Sequence, residues 1–161
     1  SNLTTARIAK NAGVSPATIY LHYQDKTDLL SRLYEEVKNH LHNGLAEAID
    51  LTSSLDNQIR QTLAFSVDQY HRYPKEYRFM SSLWSNPEML DAHAIQMGNT
   101  MADPLQDLFT RINADDHYAT TSPAILASFL AIPSILLRQG TDLSEQNLKQ
   151  TSDMILKAIQ K

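Results

Sequence analysis

The chain contains no cysteine, which excludes a disulfide framework and thiolate-held metals and suits a reducing cytoplasm. Glycine is scarce, with four in 161 residues, and no stretch alternates β-branched residues as a half-buried strand does. The expected fold class is therefore all-α. No apolar run approaches the roughly 20 residues that span a bilayer, so no membrane partner is expected, and no secretory signal is visible. Also missing are a Gly-rich phosphate loop, a Gly-x-Ser-x-Gly elbow and a His-Glu-x-x-His pair. Neither an enzyme nor a bound cofactor is expected on these grounds. Six histidines raise the question of a metal. Asp68-x-x-His71 has ligand-like spacing, but a di-metal helical bundle needs two Glu-x-x-His pairs and two further Glu. No Glu-x-x-His occurs, and Glu36 with His40 reads as an exposed pair four residues apart. No metal site is expected.

What is present concentrates in residues 4–30, TTARIAKNAGVSPATIYLHYQDKTDLL. Thr4 or Thr5 offers a hydroxyl N-cap. Ile8, Ala9 and Ala12 then share one face of a short helix. Gly13 stands where a helix ends with φ > 0, and Val14 plugs the corner. Ser15 and Pro16 restart the chain as N-cap and first-turn proline. Such a turn holds two helices at a steep angle and frees the second to enter a DNA major groove. Ile19 and Tyr23 pack inward. Ala17, Thr18, Leu21 and His22 face outward to meet base edges, while the hydroxyls of Thr18 and Tyr20 reach phosphates. Lys26 and the N-terminus of the next helix face a shared phosphate. The candidate DNA-binding set is thus Thr4, Thr5, Ser15, Pro16, Ala17, Thr18, Tyr20, Leu21, His22 and Lys26. AKNAGVS alone also fits an ordinary helix-helix corner. The full order IAxxAGVSxxTIYxHYxxKxxLL is far more specific.

Over residues 4 to about 34 this order resembles the TetR-type bacterial transcriptional regulators. In them the helix-turn-helix runs directly into a Tyr, an aromatic, a Lys and a Leu pair, here Tyr20, Tyr23, Lys26, Leu29 and Leu30. Phe is more usual where Tyr23 stands. The family carries another helix before this motif, whereas only Ser1, Asn2 and Leu3 precede Thr4. The resemblance therefore implies a natural N-terminal segment before Ser1. It also implies a module over 1–43, incomplete without that helix, joined by a long helix to an effector-binding and dimerisation domain over 44–161.

The net charge of −4 runs against a nucleic-acid binder taken whole. Its distribution does not: Arg7, Lys10 and Lys26 stand against Asp25 alone in the first 26 residues, and the acidic excess lies downstream.

Beyond the motif, Leu30, Leu33, Val37, Leu41, Leu45 and Ile49 predict one long helix from near Asp25 to about Leu51. Leu55, Ile59, Leu63, Val67 and Tyr70 predict another after Ser54, and a short helix follows around 76–85. Leu90, Ala94, Met97, Met101, Leu105, Leu108 and Ile112 keep one phase through Pro104. They read as a long kinked helix, with a break and Asp103 as a fresh N-cap the alternative. Residues 113–122 form a polar loop. Residues 123–138, PAILASFLAIPSILLR, read as a helix apolar nearly all round, followed by a last helix opened by Ser144.

An all-apolar helix must be covered on every side, and one subunit has little left to cover the last two. A second copy across a two-fold axis is the expected partner, through Ala127, Ser128, Ala131, Ser134, Leu148, Ile155 and Ile159. The alternative is a central core helix in a monomer; the resemblance favours the homodimer. Tyr70, His71, Tyr73, Met80, Trp84, Met97 and Met101 are the candidate lining of a small-molecule cavity, where this family places its effector. The same residues also suit an ordinary core.

The expected function is a dimeric, ligand-responsive repressor reading a pseudo-palindromic double-stranded DNA operator, its small-molecule effector unknown. The alternative is a helical dimeric sensor or interaction module whose helix-turn-helix is only structural.

Overall fold

The computed structural model describes residues 4–100 and 103–161, without the side chains of 97–100. The described residues are helical throughout their regular structure, apart from a single bridge between Tyr118 and Gln160. They divide into two compact units. One runs to His40 and resumes at Phe79; the other takes Leu41 to Arg78 and the C-terminal segment through Lys161.

In the first unit, helix α1 (Thr5–Ala12) opens on the Thr4 hydroxyl, which accepts from Arg7 N–H. Helix α2 (Pro16–His22) opens on the Ser15 hydroxyl, which accepts from Thr18 N–H. Helix α3 (Lys26–His42) is entered through two carboxylates. Asp25 accepts from Asp28 N–H at 2.8 Å, and Asp28 accepts from Gln24 N–H at 3.0 Å, a reciprocal arrangement like a capping box.

Farther along α3, the Ser31 hydroxyl accepts from the backbone N–H of Asp91 at 2.8 Å. The Arg32 guanidinium donates to Glu35 and Asp91, and His93 Nδ1 lies 2.8 Å from Glu35. Asp91 also accepts from Ala94 N–H at 2.8 Å, which caps helix α7 (Ala92–Thr100). The start of α7 is thereby tied to α3.

The predicted helix to Leu51 is broken. It stops at His42; Gly44 adopts φ +92°, and a short helix α4 (Leu45–Ala48) follows. A Cβ at Gly44 would only touch Phe65 at 3.6 Å, so the left-handed backbone rather than space explains glycine there. The apolar stripe survives the break, because Leu41, Leu45 and Ile49 are all buried.

The second unit is organised around α5 (Leu55–Arg72), capped by Ser54 and packed against α4, α8, α10 and α11. Ile59 and Leu63 join Leu108, Phe109 and Ile112 of α8 (Pro104–Ala114) and Leu126 and Leu130 of α9 (Pro123–Leu130). Ile155, Leu156 and Ile159 of α11 (Glu145–Ile159) complete this core. Gln69 donates to the carbonyl of Leu41 at 2.8 Å, satisfying a group released near the end of α3. The loop after α8 is less detached than its polar sequence suggests. Tyr118 is buried with its hydroxyl on Asp56, and Ala119 N–H donates to the Ile159 carbonyl. Burial, then the Asp56 bond and charge, push the Tyr118 phenol well above its ordinary pKa.

Two further expectations are corrected. Leu90 to Ile112 is not one kinked helix. A 3₁₀ turn (Pro87–Met89) and α7 come first, and Asp103 then caps α8 with Pro104 in its first turn. Proline lacks the N–H that a first turn leaves unused, so a new start is favoured over an interior kink. Residues 123–138 likewise form two helices, with α10 (Ile132–Arg138) beginning after Ala131, ahead of Pro133. Helix α6 (Pro74–Trp84) begins two residues earlier than predicted, also on a proline.

The Asp91 carboxyl is held below its ordinary range by the Ala94 N–H above all, burial opposing, with help from Arg32 and His93. Its contribution is therefore full above the unfolded value of about 3.9 and lost as pH falls through the lower folded one. Asp91→Ala is expected to cost about 1 kcal/mol and to speed amide exchange at Ala94 and its neighbours. Unchanged exchange there would contradict the capping role.

Candidate nucleic-acid interface

Gly13, at φ +70°, turns α1 into α2, its N–H returning to the carbonyls of Ala9 and Lys10. The inward faces then meet in a small cluster of Ala9, Ile19 and Leu29, flanked by Ile8 and Tyr23. Because Ile19 is taken inward, its neighbours on α2 point out. Tyr20 is 54% and Leu21 81% exposed; Ser15, Pro16, Ala17 and His22 are exposed too. Thr4 is exposed and Thr5 half-buried. Thr18 is half-buried, and its hydroxyl sits 2.9 Å from that of Ser15, so it serves the local turn rather than standing free for phosphate.

Lys26 is half-buried at the first position of α3. The expectation that the α3 N-terminus joins it on a phosphate is corrected, since Asp25 and Asp28 already accept there. Two carboxylates repel an anion at that helix end, which leaves Lys26 only its own charge to offer a phosphate. Sequence reasoning counted Arg7 and Lys10 as charge without placing them at the interface. Both are exposed on α1, and their spacing of three along a helix was the available signal.

Residues 1–33 match the family described as bacterial regulatory proteins, tetR family. The fold resembles a TetR family transcription regulator from Marinobacter aquaeolei (TM-score 0.80, 17% identity). The alignment covers 99% of this chain and 86% of that one. A TetR-family transcriptional regulator from Haemophilus influenzae gives a TM-score of 0.78 at 22% identity with the same coverage. The N-terminal helix-turn-helix thus matches the tetR family, and the rest of the chain shares the fold of these regulators.

Among curated relatives, the nucleoid occlusion factor SlmA of Vibrio cholerae is 28% identical over 113 residues, 70% of this chain. The match takes in 53% of that relative, so this chain spans about half its length.

The residues expected at a tetR-type dimer interface are distributed unevenly. Ser128 is exposed, and Ala127, Ala131 and Leu148 are half-buried. Ser134, Ile155 and Ile159 are buried within the chain itself. The bend near Ala131 turns α10 onto α5, and α5 supplies cover that the sequence seemed to lack. Among the large apolar side chains of α9, α10 and α11, Ile125, Ile135 and Met154 make up the exposed set. On the same helices, Phe129, Ile132, Leu136, Met154 and Ala158 line an apolar groove of about 340 Å³.

Of the expected effector residues, Tyr70 packs its ring 5.4 Å from that of Tyr77 and edge-on to His71. Tyr73 is half-buried and His71 exposed. Tyr77 is buried, which raises its phenol to about 12. Met80 is buried and Trp84 is 49% exposed. The Met97 side chain and Met101 lie outside the described residues. Among the described residues no group of three or more His, Asp or Glu gathers to hold a metal, and no helix is long and apolar enough to cross a membrane.

A Cβ added at Gly13 meets nothing within 4 Å, so Gly13→Ala isolates the cost of the left-handed backbone, about 1–2 kcal/mol. Gly13→Asn is expected to recover part of it. Equal stability of wild type and Gly13→Ala in urea unfolding would show that the turn opens without loss.

Proposed function

We propose that this protein is a dimeric DNA-binding transcriptional repressor whose two copies of α2 read successive major grooves of a pseudo-palindromic operator. The observation that carries the reading is the outward face of α2. It presents Ala17, Tyr20, Leu21 and His22 to solvent while Ile19 alone anchors the helix inward. Two such helices read one operator when held about one DNA turn apart, ~34–36 Å. Pairing through the exposed apolar side chains of α9, α10 and α11 supports that geometry. Burying Ile125, Ile135 and Met154 against a second copy removes apolar area from water, worth ~25 cal/mol per Å².

Response to a small molecule belongs to the same proposal, with Tyr70, His71 and Tyr73 as the candidate recognition residues in the second unit. An effector releases DNA only by preferring a conformation in which the two reading helices are wrongly spaced. A second reading is favoured by the likeness to SlmA: a DNA-bound factor in nucleoid occlusion rather than in transcription. Transcript levels at the bound sites separate the two, since a repressor raises them when it is lost.

Tyr20→Phe removes an exposed hydroxyl and Lys26→Ala a charge, and both are expected to weaken binding to specific and random duplexes alike. Lys26→Ala should also lower the salt slope by about 1 per subunit. Anisotropy titration over a salt series checks this; unchanged affinity in both variants would remove them as phosphate anchors.

Met154→Glu and Ile125→Glu place charge on side chains that are exposed within one chain, so the subunit is expected to fold. Burying that charge between copies costs several kcal/mol, and light scattering should report monomers. Persisting dimers of both variants would place the interface elsewhere.

A further inference from the structure

We infer that Leu21, with Ala17 beside it, reads the 5-methyl group of thymine in the major groove, making Leu21 a sequence-determining residue of the operator contact. The inference rests on the DNA-binding reading above and specifies its chemistry. Leucine at 81% exposure is the most exposed large apolar side chain of the described residues. Ala17 lies four residues earlier, hence on the same helical face, and is exposed as well.

The surrounding charge suits a nucleic acid. Residues 1–24 contain Arg7 and Lys10 and no Asp or Glu, and both cations are exposed. The hydrogen-bonding inventory narrows the contact further. Bidentate reading of guanine or adenine needs Arg, Lys, Asn or Gln, and reading of cytosine needs Asp or Glu. Helix α2, PATIYLH, has none of these. Its Thr18 hydroxyl is engaged with Ser15, which leaves the Tyr20 hydroxyl and the His22 ring as exposed polar groups. Base edges under positions 17 and 21 therefore meet hydrocarbon. The one apolar group that a base pair presents in the major groove is the thymine methyl.

The test begins with duplexes selected by the protein from a randomised pool. Selected half-sites should carry thymine at a fixed position. Replacing that thymine by deoxyuracil, which deletes only the methyl, should weaken binding about fourfold per half-site, equivalent to ~0.8 kcal/mol for one buried methyl. Cytosine at the same position should bind weakly, and 5-methylcytosine should recover part of the loss. In Leu21→Ala the thymine and deoxyuracil duplexes should bind equally, with thermal stability unchanged because the side chain is solvent-facing. Selective duplexes that show no methyl dependence, or a methyl dependence that survives Leu21→Ala, would overturn this inference and leave DNA binding intact. Failure to bind any duplex would instead overturn the DNA-binding reading itself.

Discussion

The outward face of α2 depends on one small buried contact, Ala9 against Ile19 and Leu29. Ala9 is fully buried and brings only a methyl group, so α1 and α2 approach closely and the corner at Gly13 stays tight. Little apolar area is involved, and local devices supply what burial does not. These are the Thr4 and Ser15 caps, the left-handed glycine and the paired carboxylates of Asp25 and Asp28. Each is worth on the order of 1 kcal/mol. A module built this way holds its helices by geometry more than by core size, and it leaves Tyr20, Leu21 and His22 free of structural duty.

The second unit solves a different problem. Helix α5 buries Ile59, Leu63 and Val67, yet it also buries Gln58, Thr62 and Gln69. Each polar side chain has a stated partner: Gln58 the Ser53 carbonyl and Arg111, Thr62 the Gln58 carbonyl, and Gln69 the Leu41 carbonyl. Buried polar groups cost little when paired and much when not. The pairing to Leu41 accepts the abrupt end of α3, which a continuous helix would not need.

Helix starts were legible in the sequence because their causes are local. Ser15, Ser54 and Ser144 cap where predicted, and the helix-turn-helix follows from Gly13, Ser15 and Pro16 within a few residues. Helix ends within apolar runs were not. Leu41, Leu45 and Ile49 face one way across the break at Gly44, so the hydrophobic period carries no trace of it. The signal was Asn43-Gly44 itself, and Pro133 gave the corresponding one at Ala131. The dimer expectation had no comparable local signal, since an all-apolar helix says that every side is covered but not by what. Ser134, Ile155 and Ile159 are covered by their own chain, and Ile125, Ile135 and Met154 are the ones left out.

The central claim is that the face of α2 opposite Ile19 is a DNA-reading surface. Amide chemical shifts followed while duplex DNA is added test it most directly, because they report every residue at once. The account predicts the largest changes at Ala17, Tyr20, Leu21, His22 and Lys26, with the core of α5 and the interior face of α11 unmoved. Absence of change on α2, or changes confined to α9–α11, would contradict it.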